Sequence, residues 1–132
     1  MNVSQQYAQT KVQTASQGEL IIMLYEGCIK FLRFAKLNIE DEDHSQANEN
    51  LIKAQNIVLE LLSTLDGEKG GELAQNLAAL YEFIYKRLVK ANMKKDKEMI
   101  AEVETMLNQL LESWREVVKI DGKARAKQRS IG

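Results

Sequence analysis

The chain has 132 residues, 45% of them hydrophobic and 28% charged, enough for one core that buries roughly two-thirds of the unfolded surface and too little for two. Its 18 basic and 19 acidic residues leave a formal charge of −1, which excludes a field able to steer the whole chain onto nucleic acid or an anionic membrane. Aromatic residues make up 6% and proline is absent, so the composition is that of long helices and the fold class reads as all-α.

The polar start, MNVSQQYAQTKVQT, lacks a secretory core, and no run of 18 apolar residues follows. A lone Cys28 has no internal disulfide partner, which suits a reducing compartment, and the chain reads as soluble and cytoplasmic. Residues 1–15 are weakly patterned and read as a mobile or capping N-terminal segment. A bundle over residues 16–120 and a flexible basic tail over 121–132 complete the expected organisation.

Ser16 and Glu19 form a capping-box pair that predicts a first helix over residues 17–39. Leu20, Leu24, Gly27, Phe31 and Ala35 make one apolar stripe on it. Ile21, Tyr25, Cys28, Leu32 and Ile39 make another beside it, so the helix has two neighbours. After the acidic EDED stretch at 40–43, Asp43 with Gln46 predicts the cap of a second helix, whose core stripe is Ala47, Leu51, Ala54, Val58, Leu61 and Leu65. Ile52, Ile57, Leu59 and Leu62 form a lesser set beside it.

Gly67, Gly70 and Gly71 can take the positive φ that ends one helix and starts another. The third helix is expected to bury Leu73, Leu77, Leu80, Ile84 and Ala91. A turn at NMKKDK leads to a fourth that turns Ile100, Val103, Leu107, Leu110, Trp114 and Val117 inward. Short connections force antiparallel neighbours, which predicts an up-down-up-down four-helix bundle. The EDED turn then falls near Lys94, Lys95 and Lys97.

Candidates for chemistry are few. His44, three residues after Asp41, is a solvated cap rather than a metal ligand, because the chain has no second histidine. Cys28 sits in an apolar stripe, where a thiol behaves as a small hydrophobe. The GEKGGE loop lacks the strand and the Gly-Lys-Ser/Thr ending of a phosphate loop. Neither a metal, a cofactor nor an enzyme activity is expected. Lys123, Arg125, Lys127 and Arg129 lack the interleaved aromatics of a nucleic-acid site.

What remains is apolar surface beyond one core's needs. Ala74, Ala78, Tyr81, Tyr85 and Leu88 make a second line on the third helix, and Ile52, Leu59 and Leu62 do so on the second. Such faces are either wide core stripes or a groove for a partner helix.

ASQGELIIMLYEGCIKFL at 15–32, LDGEKGGELAQNLAALYEF at 65–83 and LVKANMKKDKEMIAEVETMLNQLLESW at 88–114 resemble FliS, the flagellar secretion chaperone family, in order and spacing. Gln17 stands where that family usually has proline. The resemblance implies a cytoplasmic export chaperone that binds the C-terminal segment of flagellin, prevents premature polymerisation, and presents it to the flagellar type III export apparatus. Contact with export gate components is a further implied partner, and the implied oligomeric state is a monomer or weak homodimer. A self-assembling helical scaffold or adaptor, using the same stripes, is the alternative.

The residues expected to contact cargo are Ile52, Asn56 and Leu59 on the second helix and Ala74, Ala78, Tyr81 and Tyr85 on the third, with Tyr7 as a lid. On that reading Tyr81→Glu abolishes binding and spares helix content. Deleting residues 1–15 raises dimer or aggregate content in sedimentation, and an unchanged profile would remove the lid.

Overall fold

The computed structural model describes residues 16–67 and 69–131. Four helices follow one another: α1 (Gln17–Glu40), α2 (His44–Ser63), α3 (Gly71–Lys94) and α4 (Lys97–Ile131). Each packs on its neighbours in a cycle, α1 on α2, α2 on α3, α3 on α4 and α4 back on α1. This is the antiparallel bundle that the short connections demand. The α1–α2 pairing is the most extensive and the α3–α4 pairing the sparsest.

Local chemistry sets the helix ends. Ser16 Oγ accepts from the Glu19 amide at 3.2 Å, and Asp43 Oδ1 accepts from the Gln46 amide at 3.1 Å, so both predicted caps satisfy an otherwise orphaned donor. Of the three loop glycines only Gly71 takes positive φ, at 56°, the conformation that disfavours any side chain with a Cβ. Lys95 ends α3 at φ 52°, and the Asp96 amide reaches back to Ala91 O. Asp96 then caps α4 by accepting from the Glu98 and Met99 amides.

The core runs through Tyr25, Leu32, Leu51, Val58, Leu61, Ile84, Leu88, Ile100 and Leu107. The predicted α2 stripe is inside, with Leu65 half-buried. On α1 the line Ile21, Tyr25, Cys28 and Leu32 is buried, and of its neighbouring line only Ala35 is. Cys28 Sγ lies 3.6 Å from Ala54 O, and burial pushes its thiol up to about 12. It is a packing residue. A thiol-labelling reagent at about pH 8 should leave Cys28 untouched in the folded chain and react only on denaturation; prompt labelling under native conditions would contradict its place between α1 and α2.

The predicted meeting of acidic and basic turns occurs through one pair, Lys97 Nζ to Glu40 Oε1 at 3.1 Å. Lys95 instead folds its ammonium onto Asn92. Lys36–Glu104 at 3.0 Å and Glu26–Arg115 at 3.9 Å continue the same antiparallel register along α1 and α4. The exposed Lys97–Glu40 and Glu26–Arg115 pairs contribute about 0–1 kcal/mol each and fix register more than stability, while Lys36–Glu104 is the more enclosed of the three.

α4 does not end near residue 120, where the sequence reading placed the start of a tail. It continues as helix to Ile131. A Cβ on Gly18 would lie 2.6 Å from Val118 Cγ2, so α1 begins beside Val118 and needs glycine to come that close. Past that level α4 runs on for about 20 Å at 1.5 Å per residue.

Candidate functional site

The two ends of the bundle differ in chemistry. At the end holding the α1–α2 and α3–α4 connections, polar side chains tie the helices together. Asn50 Nδ2 donates to Asn38 Oδ1 at 2.7 Å, Asn92 Nδ2 donates to Asn48 Oδ1 at 2.8 Å, and Lys97 pairs with Glu40. Exposed apolar side chains occur at both ends, with Met93 82% and Leu37 55% exposed at this one, but at the opposite end, where α1 starts and α2 turns into α3, they border an apolar groove. Leu73 is 66% exposed, Val117 54% and Ile120 59%.

Between α3 and α4 at this open end lies a cavity of about 260 Å³ lined by Leu73, Leu77, Leu110, Ser113, Trp114 and Val117. Five of the six lining side chains are apolar, and Ser113 Oγ is occupied by the Gln109 carbonyl at 3.3 Å. Nothing there selects a small polar ligand. The groove presents what an apolar helix face needs: a trough between two helices whose walls recur one turn apart.

Trp114, half-buried and the one tryptophan of the chain, forms part of this wall and is held from behind. Its Nε1–H donates to the Tyr25 hydroxyl at 3.3 Å, and that hydroxyl is hydrogen-bonded to Tyr81 Oη at 2.6 Å. Tyr25 is 0% exposed and Tyr81 1%, with ring centroids 6.3 Å apart and planes tilted by 59°. Burial raises both hydroxyl pKa values, so both stay protonated. A three-member polar chain inside an apolar core fixes its members' rotamers, since each would otherwise lie unpaired away from water.

The expected cargo-contact residues separate. Ile52, 42% exposed, Leu59, 44% exposed, and Asn56 all face outward on α2. Ala78 and Tyr85 are half-buried on α3. Ile57 packs toward α1, its Cδ1 3.4 Å from a Cβ placed on Gly27, and Ile52 and Leu59 lie on the opposite flank of α2, toward α3. Ala78 and Tyr85 lie on the flank of α3 away from the Leu73–Leu77 groove, so these residues border the α2–α3 seam.

Ala74 and Tyr81 do not belong with them. Both are inside the bundle, at 6% and 1% exposure, as is Leu88, so neither Ala74 nor Tyr81 presents a surface to a partner. Leu73, expected inside, is among the most exposed leucines. The core direction of α3 lies between its two apolar lines and takes part of each. Tyr7 lies outside the described residues.

The remaining candidates carry no chemistry. A larger groove of about 500 Å³ between α1 and α4 is lined mostly by charged residues, among them Arg33, Lys36, Glu40, Lys97 and Glu98, and is crossed by the Lys97–Glu40 pair. Among the described residues no three His, Cys, Asp or Glu side chains gather as a metal site, and no helix is long and apolar enough to cross a membrane.

The family described as Flagellar protein FliS matches residues 1–121. This chain belongs to the FliS family. The flagellar secretion chaperone FliS of Bacillus subtilis (strain 168) is 45% identical over 119 residues, covering 90% of this chain and 88% of that protein. Its counterpart in Salmonella typhimurium is 40% identical over 116 residues, covering 84% and 86%. The Escherichia coli (strain K12) protein is 36% identical over 118 residues, covering 86% and 87%.

Membership in a family of secretion chaperones gives the open groove a context, since the relatives' named role is non-enzymatic and this FliS-family bundle offers apolar surface rather than reactive groups. Sequence reasoning placed Leu73, Leu77, Leu110, Trp114 and Val117 in the core and so missed the groove. One signal pointed the other way. Leu73 is the third residue of α3, just past a glycine-rich turn, where a helix has begun but its neighbours need not yet cover it.

Proposed function

We propose that this chain binds the C-terminal segment of flagellin, keeps it from polymerising before export, and assists its delivery to the flagellar type III export apparatus from the cytoplasm. The apolar groove between α3 and α4 carries this reading. The α2–α3 seam, bordered by Ile52, Leu59, Ala78 and Tyr85 with Asn56 on the outer face of α2 beside it, provides a second strip on the other side of α3. A segment that wraps α3 would use both.

The chemistry asked of such a site is burial and release. An amphipathic segment disordered before binding buries about 1,000–3,000 Å² as it folds onto a partner and loses about 2–5 kcal/mol to its own ordering. The surplus is specific yet surrenderable, as a cargo bound for an export gate requires. Tyr7 is retained in this proposal as a lid over the same surface, because residues 1–15 join the bundle at Ser16, at the open end.

Titration calorimetry of the full chain with the flagellin C-terminal segment of the same organism tests the reading. Saturable one-to-one binding with a negative heat-capacity change is expected. A folded chain that leaves the segment unbound, yet self-associates with concentration in sedimentation, would assign the same stripes to a self-assembling scaffold.

A further inference from the structure

Gln55 is a buried polar side chain of α2 that the fold leaves unbonded. It is 8% exposed, and its amide makes no hydrogen bond among the described residues. Asn50, the other buried polar residue of the same helix, donates to Asn38 Oδ1 at 2.7 Å. A buried amide without such a partner is disfavoured and uncommon in a folded chain.

Register places this amide in the α2–α3 seam. Asn92 Nδ2 donates to Asn48 Oδ1 across the two helices at 2.8 Å, which fixes the faces that α2 and α3 turn toward one another. Gln55 follows Asn48 at i+7, on the same face of α2. The antiparallel run of α3 brings Tyr85, at i−7 from Asn92, level with it. Ile52 and Leu59, at i−3 and i+4 from Gln55, stand outward of it at 42% and 44% exposure. They form the rim of the seam and Gln55 its floor. The unbonded amide is not sealed from solvent, so it opens between them.

A segment that covers the seam takes water away from this amide and must replace the lost bond. An uninterrupted apolar helix cannot do so, because its N–H and C=O groups are bonded within the helix. The α3–α4 groove and the α2–α3 seam lie on two sides of α3, and no straight helix occupies both. A segment that uses both breaks its helix as it rounds α3, and each break frees peptide N–H and C=O groups. A primary amide, with donors and an acceptor on one planar group, matches such a peptide.

We propose that Gln55 is a specificity residue of the cargo site, hydrogen-bonding a free peptide group of the segment where its helix is interrupted over the α2–α3 seam. The inference rests on the reading of the seam as cargo surface. It adds the form of the occupant: apolar side chains against Ile52 and Leu59, and non-helical backbone over Gln55.

The experiment compares the full chain with Gln55→Met and Gln55→Leu, which remove the amide and keep an apolar side chain of equal helix preference. Calorimetry with the flagellin C-terminal segment of the same organism gives affinity, and thermal unfolding gives stability. Both variants should be at least as stable as wild type, with Tm unchanged or higher by up to about 5 °C. Both should bind the segment about five- to thirtyfold more weakly, the loss that follows when one partner of a buried hydrogen bond is removed. In NMR spectra of the isotope-labelled chain, the Gln55 side-chain amide protons, identified by their absence from Gln55→Met, should exchange with solvent more slowly once the segment is bound. Unchanged or tighter binding in both variants would overturn the role of Gln55 and leave the α3–α4 groove standing. Weaker binding together with lower stability would overturn it as well, by making Gln55 a packing residue. Slowed exchange that instead follows the concentration of the chain alone would give the seam to a second copy. Failure of wild type to bind the segment would overturn the cargo reading and this inference with it.

Discussion

Leu73→Glu is expected to weaken binding of the flagellin C-terminal segment by at least about 30-fold, or about 2 kcal/mol, while leaving the bundle as stable as before. The separation follows from exposure. Leu73 is 66% accessible in the free chain, so replacing it removes little native packing, and surface changes of this kind stay within about 0.5 kcal/mol. It lies in the first turn of α3, where the helix dipole favours a carboxylate. The cost appears only when an apolar helix covers the site and strips water from the new charge. Val117→Glu, on the facing wall, should behave alike. Calorimetry measures the affinity and thermal unfolding the stability. If Leu73→Glu binds as wild type does while Leu59→Glu does not, the cargo lies on the α2–α3 seam alone.

Tyr81 gives the opposite result. The sequence reading places it on the cargo face, where Tyr81→Glu spares helix content. Its 1% exposure and its hydrogen bond to Tyr25 at 2.6 Å predict that Tyr81→Glu loses helix content and binding together. A carboxylate there is buried without a cation and costs several kcal/mol of a total near 5–15. Tyr81→Ala, which leaves a cavity, should cost about 3–5 kcal/mol and lower Tm by about 10–20 °C. Tyr81→Phe keeps the ring and removes one hydrogen bond, at about 1 kcal/mol. Far-ultraviolet circular dichroism with heating distinguishes the three, and a Tyr81→Glu chain that stays fully helical would show that the site is more open than 1% exposure allows.

The same pair predicts an alkaline limit. Burial raises the Tyr25 and Tyr81 pKa values in the folded state, so above the unfolded value of about 10 the unfolded chain releases protons that the folded one retains. The contribution is fully present below about pH 10 and is lost as pH climbs further. Stability should fall less steeply in Tyr25→Phe, which removes one of the two titrating groups; an identical slope would mean that other groups dominate.

Much of this architecture is determined by sequence alone. Capping pairs at Ser16 and Asp43, the unbroken three-four alternation from Ala47 to Leu65, glycines at 70 and 71 and the short connections specify four antiparallel helices, because each acts through local hydrogen bonds or a period that one helix dictates. The FliS resemblance was legible on the same stretches. Cys28 was legible as packing because a thiol amid apolar neighbours has nothing to activate it.

Tertiary structure decided that the core takes part of each apolar line of α3, Ala74, Tyr81 and Leu88 from one and Ile84 and Ala91 from the other. Both lines have helical period, so periodicity cannot rank them. The choice is made by where α3 meets Tyr25, which draws Tyr81 inward and leaves Leu73 at a sparsely packed α3–α4 end. The length of α4 was likewise beyond the apolar pattern, which fades after Ile120, past the level of Val118 where α1 begins. A sequence records how much apolar surface each helix carries; which part stays uncovered depends on the phase and reach of its neighbours.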